Sequence, residues 1–492
     1  MAQALLLRNG QAAPLAKVPV LSMADFRHAV LEAVDSGSRL SAYFGRSLAS
    51  GEVGLLAVLA DDTKGVLSLL GAEAEDSYPA LTPVCPQAHL FERALFEQFG
   101  VRPMGHPWLK PVRYPPKNGT VCGVTDFYRV EGEEIHEVAV GPVHAGVIEP
   151  GHFRFQCHGE VVQHLEISLG YQHRGVERAL LGGPDRRSVH LAETLAGDTT
   201  VGHGWAYCQA VEALGKAEAP PRALALRAVA LELERIANHI GDLGAMAGDV
   251  GFLPTQSFCG RLRGDALNIT AMLCGNRFGR NLNRPGGVAQ DVDAALAADM
   301  SARLETLRRE TAASVNLLWD SASVTGRFEE TGAITQDDCR KLGLVGPAAR
   351  ACGLTQDVRR DLPFGIYRYA MIPISSWHTG DVFGRAQVRW LEVQRSVQFA
   401  RELLGSLPGG AVRREPTPLR PEHVAVSLTE GWRGEVCHVA LTGPDGRFRR
   451  YKVVDPSFHN WFGLGLALRG QAISDFPICN KSFNLSYCGY DL

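Results

Sequence analysis

One glutamate of this 492-residue chain lies in a context that suits acid–base chemistry. Glu177 follows Arg174, Gly175 and Val176, and Arg178 comes directly after it. A carboxyl group held in an enclosed cleft has a raised pKa and can shuttle a proton. The alternative is an ion pair with Arg174 or Arg178 at the entry of a helix. Both interpretations stay open at the level of sequence.

Two pairs of polar residues have spacings that matter on a helix. Asp198 and His203 lie five residues apart at the head of a predicted helix, where Asp198 would cap the helix or lie near its positive end. Asp381 and Arg385 are four residues apart on another predicted helix, which is the spacing of an ion pair. An exposed pair of this kind contributes little to stability. Structural roles are the default expectation for Asp198 and His203.

Cysteine and glycine usage argues against several kinds of site. The 11 cysteines are scattered and none forms a Cys-x-x-Cys pair, which favours free, mostly buried thiols in a reducing compartment. An iron–sulfur cluster usually needs four cysteines, with some of them clustered. The glycines after Arg284 lack the lysine and serine of a phosphate-binding loop, and no G-x-G-x-x-G follows a strand. We therefore expect no nicotinamide site in this chain.

Composition and charge are those of an ordinary globular protein. Hydrophobic residues make up 45%, charged residues 21%, and the net charge is -3, so nothing indicates nucleic acid or an anionic membrane surface as a partner. The apolar runs are too short to span a bilayer, and the N-terminus lacks the basic region of a signal peptide. We expect a cytoplasmic protein that docks on the cytoplasmic side of a membrane complex.

The elements that carry these residues change along the chain. Residues 22–115 have the pattern of a small α/β domain, with helices predicted over 23–36 and 87–99 and strands over 40–44 and 53–59. Residues 135–168 are β-rich, whereas 104–117 and 282–287 are predicted loops. Further helices are predicted over 188–214, from 221 onward, and over 255–274, 290–320 and 385–405, before strand-like alternation over 422–455.

Seven stretches, in order, resemble known families. The first two resemble the 30-kDa subunit of respiratory complex I, and the other five resemble its 49-kDa subunit and the large subunit of group 4 nickel–iron hydrogenases of the hydrogenase-3, hydrogenase-4 and formate hydrogenlyase type. They are Phe91–Gly100, Gly105–Leu109, Tyr171–Glu177, Glu232–Ile240, Arg284–Val288, Gly380–Arg385 and Arg433–Glu435. The resemblance implies an α+β fold: an N-terminal α/β domain over 1–117, a linker over 118–137, and a mainly helical core with β segments over 138–492.

The hydrogenase resemblance also implies four thiolate ligands, arranged as two Cys-x-x-Cys pairs. The corresponding positions hold Ala196, Thr199, Ser486 and Gly489. Nickel and low-spin iron are held by soft thiolates, which neither a hydroxyl group nor hydrogen replaces. The resemblance therefore implies that the frame is kept without a metal. The alternative is a hydrogenase with rearranged ligands, in which Cys208, Cys479 and Cys488 would be the candidate metal ligands.

Residue roles are carried over from the resemblance one by one. Glu177 matches a glutamate that passes protons to and from the hydrogenase metal centre, and Arg433 matches an arginine above it that here would bind an anionic or quinone-like oxygen. Asp381 and Arg385 would line the inner cleft. Glu177, His152 and Arg433 are thus predicted to be catalytic, and His144, His203, Asp198, Asp381 and Arg385 are predicted to contact a cofactor.

The two histidines come from the complex I side of the resemblance. A histidine on the equivalent loop of complex I points into the quinone headgroup cavity, and such an imidazole can donate to a quinone oxygen and relay a proton. His152 is the better match and His144 the other candidate. The tyrosine that partners this histidine in complex I would fall near Gly197, where the chain has no tyrosine.

The function implied is that of a core subunit of a membrane-associated, complex I-like oxidoreductase. Electrons would come from an iron–sulfur small subunit similar to the 20-kDa subunit of complex I and pass to an acceptor, for which a quinone is the candidate. Antiporter-like membrane subunits would be the other partners, and protons would leave through Glu177 toward them. The alternatives are the hydrogenase with rearranged ligands and a non-catalytic scaffold of such a complex.

Overall fold

The computed structural model describes residues 4–48, 50–115, 119–146 and 148–492. Its N-terminal sheet has the order β1-β6-β5-β4, with a further short strand, β3, parallel to β6. The strands of this sheet are β1 Leu5–Leu7, β3 Val20–Leu21, β4 Arg39–Ser47, β5 Val53–Asp61 and β6 Val66–Ala74. β5 is buried on both faces along most of its length, which explains its continuous apolar sequence.

Two helices pack on this sheet, close to their predicted bounds. α1 Met23–Asp35 begins at Ser22, whose side chain accepts a hydrogen bond from the Asp25 amide. α2 His89–Phe99 ends at Gly100, which has the left-handed conformation that glycine adopts at low cost. The short strands β7 Ser77–Pro79 and β8 Arg102–Met104 pair in parallel. In the sequence, β7 precedes α2 and β8 follows it. The predicted domain boundary between residues 117 and 118 lies outside the described residues.

A second sheet follows, in the region predicted to be β-rich. Its strands β9 Ile135–Val140, β10 His152–His158 and β11 Val161–Ser168 are antiparallel in the order β11-β10-β9. The short helix α3 Val176–Ala179 comes next and carries Glu177.

The helical core is built around one long helix. α6 Pro221–Asp249 opens on the predicted proline, and its apolar stripe is buried along its whole length. α7 Leu253–Cys274, α8 Ala294–Trp319 and α13 Val382–Gly405 complete this bundle, close to their predicted bounds. Four short helices lie between the last two: α9 Ala322–Phe328, α10 Gln336–Leu342, α11 Gly346–Ala351 and α12 Val358–Asp361. Among the described residues, no helix combines the length and apolarity that a membrane crossing needs.

The C-terminal sheet contains a strand from the opposite end of the chain. β14 His423–Gly431, β15 Gly434–Thr442 and β16 Phe448–Val454 form the order β16-β15-β14-β2, in which β2 is Gln11–Pro14. Asn9, just before β2, donates from Nδ2 to the Leu428 carbonyl at 2.9 Å and accepts from the Leu428 amide at 2.8 Å. α14 Pro456–Ala467, α15 Phe476–Phe483 and α16 Tyr487–Asp491 complete the α+β fold.

Two predicted elements were wrong. The helix expected over 188–214 is two helices, α4 Ser188–Glu193 and α5 Thr200–Gly215, because the chain turns at Gly197 and Asp198. The loop expected over 282–287 contains a short hairpin, β12 Asn283–Arg284 and β13 Gly287–Val288. The break between α4 and α5 leaves the first amides of α5 open to a partner from another element.

Candidate functional site

An ion pair at the N-terminus of α5 marks the centre of the candidate site. Both guanidinium nitrogens of Arg433 donate to the Asp198 carboxylate, at 2.6 and 2.7 Å. Arg433 lies over the ring of Trp432 and also donates to the Asn484 carbonyl, so it joins α5 to the C-terminal segment. Of the two roles expected for Asp198, capping of α5 was wrong, because Thr199 is the N-cap residue. Asp198 lies directly before it, near the positive end of the helix, and Arg433 takes up its carboxylate.

Arg433 lies in the turn between β14 and β15, and a network of buried charged residues holds this hairpin in place. Arg235 of α6 donates to the carbonyls of Gly431 and Glu430, at 3.1 and 2.6 Å. Arg350 of α11 pairs with the Glu430 carboxylate at 2.8 Å and with Glu392 of α13 at 2.7 Å. Breaking one partner of such buried pairs is costly, so the network fixes the hairpin and with it Arg433.

The four positions that the resemblance matches to hydrogenase ligands lie on the two segments that Arg433 joins. Ala196 and Thr199 are fully buried beside the start of α5, and Ser486 is the N-cap of α16, where its hydroxyl accepts from the Gly489 amide at 2.9 Å. A Cβ atom on Gly489 would lie 2.6 Å from the Asp455 carboxyl carbon. A cysteine at 489 therefore fits only if Asp455 moves.

Asp455 begins a chain of hydrogen bonds through the protein interior. Its carboxylate lies 2.9 Å from Nε2 of His203, Nδ1 of His203 lies 3.0 Å from Nε2 of His438, and Nδ1 of His438 lies 2.9 Å from the Tyr451 hydroxyl. All four side chains are fully buried. His203 thus has a buried carboxylate on one side and a second imidazole on the other, an arrangement that its sequence position alone did not indicate.

The charges of this chain follow from its surroundings. Burial opposes ionisation of Asp455, but the hydrogen bond from His203 and the charge of Arg433 outweigh it and lower the pKa of the carboxyl group. Burial, and then the neighbouring His203, lower the pKa of His438 well below its ordinary value. With Asp455 ionised, Nε2 of His203 donates to its carboxylate, and His438 joins the other side of His203 to the Tyr451 hydroxyl through its two ring nitrogens.

Glu177 has different partners and a different charge state from those expected. Its carboxylate accepts from Nζ of Lys452 at 2.9 Å, from Arg450 at 3.3 Å and from the Val453 amide at 3.1 Å. Burial alone would raise the pKa of Glu177, but the charges of Lys452 and Arg450 hold it below its ordinary range, so the expected raised pKa was wrong. Burial in turn lowers the pKa of Lys452 to about 8. The group of this pair that titrates near neutral pH is the lysine.

Neither arginine proposed as an ion-pair partner of Glu177 serves that role. Arg174 donates to the carbonyls of Thr194, Leu195 and Cys488, at 2.7, 3.0 and 3.4 Å. It therefore ties the segment before α3 to both segments of the site. No ion pair between Arg178 and Glu177 is present among the described residues; the cations on Glu177 come from β16.

Glu234 of α6 is a site residue to which the sequence assigned no role. Its carboxylate accepts from the amides of Val201 and Gly202, at 2.6 and 3.2 Å, and so caps α5 from outside. Burial raises the pKa of Glu234 to about 8, with a further contribution from the charge of Asp198. The side chain is 8% exposed. A carboxyl group that titrates near neutral pH therefore lies beside the Asp198–Arg433 pair.

His144 lies on the loop between β9 and β10, which contacts α16, and His152 is the first residue of β10. Nε2 of His144 donates to the Gly151 carbonyl at 2.9 Å, and Nδ1 of His152 donates to the Gly141 carbonyl at 3.2 Å. Burial lowers the pKa of His152, and its Nε2 is buried without a partner among the described residues. With Nδ1 protonated, Nε2 of the neutral ring is an acceptor, which suits a hydroxyl group rather than a quinone oxygen. Glu149 of the same loop accepts from the Tyr487 amide of α16.

Asp381 and Arg385 do not form the predicted ion pair with each other. Asp381 is the N-cap of α13 and accepts from the Gly384 amide at 2.8 Å. Arg385 is fully buried and donates to the Ser482 hydroxyl at 2.8 Å and to the Gly380 carbonyl at 2.7 Å. Capping and carbonyl binding satisfy both side chains separately, and Arg385 joins α13 to α15 behind the site.

The three cysteines considered as rearranged metal ligands have separate environments. Cys208 is buried in α5, Cys479 lies in α15 with its sulfur 3.9 Å from Arg385, and Cys488 lies in α16 with its sulfur 3.4 Å from the Ser486 hydroxyl. In the part of the chain that the structure describes, no three His, Cys, Asp or Glu side chains form a group that could hold a metal ion. The described residues therefore do not fit a nickel–iron centre.

Most of the chain is similar in sequence to known proteins. The respiratory-chain NADH dehydrogenase 30 Kd subunit family matches residues 30–119, and the 49 Kd subunit family matches residues 249–424. The chain is 31% identical over 353 residues to the carbon monoxide-induced hydrogenase of Rhodospirillum rubrum, covering 71% of this chain and 97% of that protein.

Two other relatives represent the two sides of the predicted resemblance. Formate hydrogenlyase subunit 5 of Escherichia coli (strain K12) is 29% identical over 435 residues, which cover 83% of this chain and 76% of the relative. An NADH-quinone oxidoreductase subunit of Solibacter usitatus (strain Ellin6076) is 28% identical over 341 residues, which cover 68% of this chain and 91% of the relative. The family predicted from short motifs is thereby confirmed over long alignments.

Proposed function

Because this chain belongs to the family of complex I 49-kDa subunits and membrane-bound hydrogenase large subunits, it is a core subunit of such an oxidoreductase complex, and we propose that it works there without nickel. In this proposal the chain lies on the cytoplasmic side of the membrane. It receives electrons from an iron–sulfur small subunit, passes them to a quinone-like acceptor and couples this transfer to proton movement through antiporter-like membrane subunits.

One observation carries the proposal. The chain aligns with 97% of a hydrogenase, and Ala196, Thr199, Ser486 and Gly489 stand at the four positions that the motif resemblance matches to thiolate ligands. The Asp455 carboxylate fills the space in front of Gly489, and Arg433 crosses from Asp198 to the segment before Ser486. Ion pairs and hydrogen bonds thus occupy the place where soft ligands would be required.

Proton transfer, in this proposal, uses groups that titrate near neutral pH. Lys452, with a pKa of about 8, shares its proton with the carboxylate of Glu177, and Glu234, also with a pKa of about 8, lies beside Asp198. A group works best as an acid or base when its pKa is near the operating pH. Glu177 would act as the fixed anion that holds a transferable proton on Lys452, and His152 would accept a proton from a hydroxyl group of the reduced acceptor.

The decisive experiment uses the intact complex purified through a tag on this chain. Nickel is measured by mass spectrometry in complex made with a full hydrogenase maturation system, and the same sample is assayed for hydrogen uptake and for electron transfer from reduced methyl viologen to a short-chain quinone. We expect no stoichiometric nickel, no hydrogen uptake and quinone reduction. About one nickel per chain together with hydrogen uptake would establish a hydrogenase with rearranged ligands instead.

Single variants separate catalysis from scaffolding. Glu177→Gln removes the anion that holds the proton on Lys452, and Lys452→Met removes the titrating group itself. Each should lower quinone-linked, proton-coupled turnover by roughly 10²–10⁴-fold, the contribution of a positioned acid or base. Turnover is compared only in complexes that have incorporated the variant, because each change removes one partner of a buried ion pair. Glu134→Gln, on an exposed carboxylate, is the matched control and should keep full activity. Full turnover in both assembled variants would favour a non-catalytic scaffold.

A further inference from the structure

A cavity of about 560 Å³ lies between the N-terminal domain and the C-terminal helices, and neither Asp198 nor Arg433 lines it. α2 and the loop after β8 form one wall, and β11 and α14 form the other. Its volume is in the range of small-molecule sites. Nothing in the proposed electron or proton transfer uses this cavity.

Aromatic rings form much of its surface. Phe91 of α2, Trp108 of the following loop, and Phe458, Trp461 and Phe462 of α14 all line it. Phe462 is 52% exposed, so an apolar ring lies at the opening of the cavity. Flat aromatic molecules pack favourably on such walls, because rings stack edge to face or offset with their neighbours.

Three imidazoles interrupt this apolar surface. His89, His164 and His459 line the cavity, and each has a buried Nε2 without a hydrogen-bond partner among the described residues. His459 is the most enclosed, at 8% exposure. Buried polar atoms in native proteins nearly always have a partner, since an unsatisfied one costs about 1–3 kcal/mol. Three such atoms around one cavity indicate a ligand that carries its own polar atoms.

The charges around the cavity favour a neutral ligand. Burial lowers the pKa of all three imidazoles, that of His459 to about 4, so the rings are uncharged at neutral pH. Arg93 donates to two backbone carbonyls at 2.7 Å, and Glu166 is paired with Lys110 at 2.7 Å. The inner charges therefore already have partners, and Arg469 lies exposed at the rim.

We propose that this cavity binds a neutral aromatic molecule with a hydroxyl or carbonyl oxygen, whose rings pack on the aromatic wall and whose oxygen forms a hydrogen bond with Nε2 of His459. The site is independent of the proposed redox function, because it shares no residue with the groups to which that function assigns roles. A wholly apolar occupant would leave the three imidazoles unsatisfied, and an ion would lose its hydration without gaining a counter-charge.

Two matched probes test the proposal on the full chain in its purified complex. 1-Naphthol carries the required oxygen, and naphthalene has the same rings without it. We expect saturable binding of both, with 1-naphthol about three- to ten-fold tighter, the contribution of one hydrogen bond. In His459→Phe, which keeps an aromatic ring but no ring nitrogen, the affinity for 1-naphthol should fall to that for naphthalene.

A cavity-filling variant locates the binding. Gly465 of α14 lines the cavity, and a Cβ atom there would meet only the Leu165 carbonyl oxygen, at 3.4 Å, so Gly465→Leu should fill the space without disrupting the helix. It should weaken both probes at least ten-fold. Gly264→Leu, in α7 with no atom within 4 Å of the new Cβ, is the control and should bind as the wild type does.

Three results would overturn the proposal: no saturable binding, equal affinity for the two probes in the wild type, or unchanged binding in Gly465→Leu. The first would leave water as the partner of the imidazoles, the second would show an apolar cavity only, and the third would place the probes elsewhere. Thermal unfolding of each variant shows whether it is folded. If His459→Phe does not fold, Gly465→Leu still tests where the probes bind.

Discussion

Replacing Glu234 by glutamine should change how the stability of this protein depends on pH. Burial holds the proton on the Glu234 carboxyl group up to about pH 8, whereas the unfolded chain releases it near the ordinary value of 4.5. Between these values the unfolded state binds fewer protons, so the free energy of unfolding falls as the pH rises. The free energy of unfolding falls by about 1.4 kcal/mol for each pH unit between the two pKa values, so the wild type loses on the order of 5 kcal/mol by pH 9.

Glu234→Gln removes this loss but weakens the cap of α5. The amide oxygen of glutamine can still accept from the Val201 amide, though less strongly than a carboxylate, at a cost of about 1 kcal/mol. We therefore expect the variant to be slightly less stable than the wild type at pH 5 and more stable by roughly 2–4 kcal/mol at pH 9. Urea unfolding at pH 5, 7 and 9 measures this, and hydrogen exchange of the amides of residues 200–204 measures it in the intact complex.

Glu212→Gln is the matched control for this prediction. Glu212 is also 8% exposed, but its carboxylate pairs with Arg227 at 2.6 Å. Removing one partner of a buried pair costs about 3–5 kcal/mol, so this variant should be less stable across the range from pH 5 to 9. Stability curves of the wild type and Glu234→Gln that run parallel with pH would refute the raised pKa and the reasoning built on it.

Three further changes test other parts of the structure. Gly489→Ala should destabilise the protein by about 1–3 kcal/mol in thermal unfolding, because its Cβ would lie 2.6 Å from the carboxyl carbon of Asp455. The control Gly260→Ala, with no atom within 4 Å of the new Cβ, should raise the stability by about 0.5–1 kcal/mol in the same assay. Equal effects of the two changes would show that Asp455 does not crowd residue 489. His203→Phe leaves Asp455 buried without its imidazole and should cost about 3–5 kcal/mol at pH 7 in urea unfolding. That deficit should narrow as the pH falls, because a protonated carboxyl group leaves no unpaired buried charge, and a deficit independent of pH would argue against an ionised Asp455. Asn9→Ala should expose the N-terminal segment to limited proteolysis, because the side chain holds β14 through hydrogen bonds at 2.8 and 2.9 Å; an unchanged cleavage pattern would show that β2 holds without it.

Local signals predicted the elements that depend on a few neighbouring residues. α2 ends at Gly100 and α6 begins after Pro220 as expected, because a left-handed stop and a proline start act within one turn of the helix. The β-rich segment and the long helices also followed from periodicity. The split between α4 and α5 was missed, because the apolar pattern continues through Gly197 whereas the helical conformation of the backbone is interrupted there.

Most of the site depends on contacts that no local pattern contains. The Asp198–Arg433 pair joins residues that are 235 positions apart, and Glu177 meets Lys452 at a separation of 275. Periodicity and spacing carry no information over such distances, so sequence reasoning assigned Glu177 the wrong partners. Asp455 was missed even though a helix-start signal, an aspartate followed by proline, was visible in the sequence.

The pairing of β2 with β14 sets an order of events during synthesis. Asn9 and Leu428 are 419 residues apart, so β2, near the start of the chain, has no partner strand until most of the protein has left the ribosome. At about 5–20 residues per second, this interval is roughly 20–80 s. Through that time the segment around Asn9 is an unpaired strand that other chains can capture. Closure of the C-terminal sheet then acts as a checkpoint for completed synthesis, because a truncated chain that lacks β14 leaves this strand exposed.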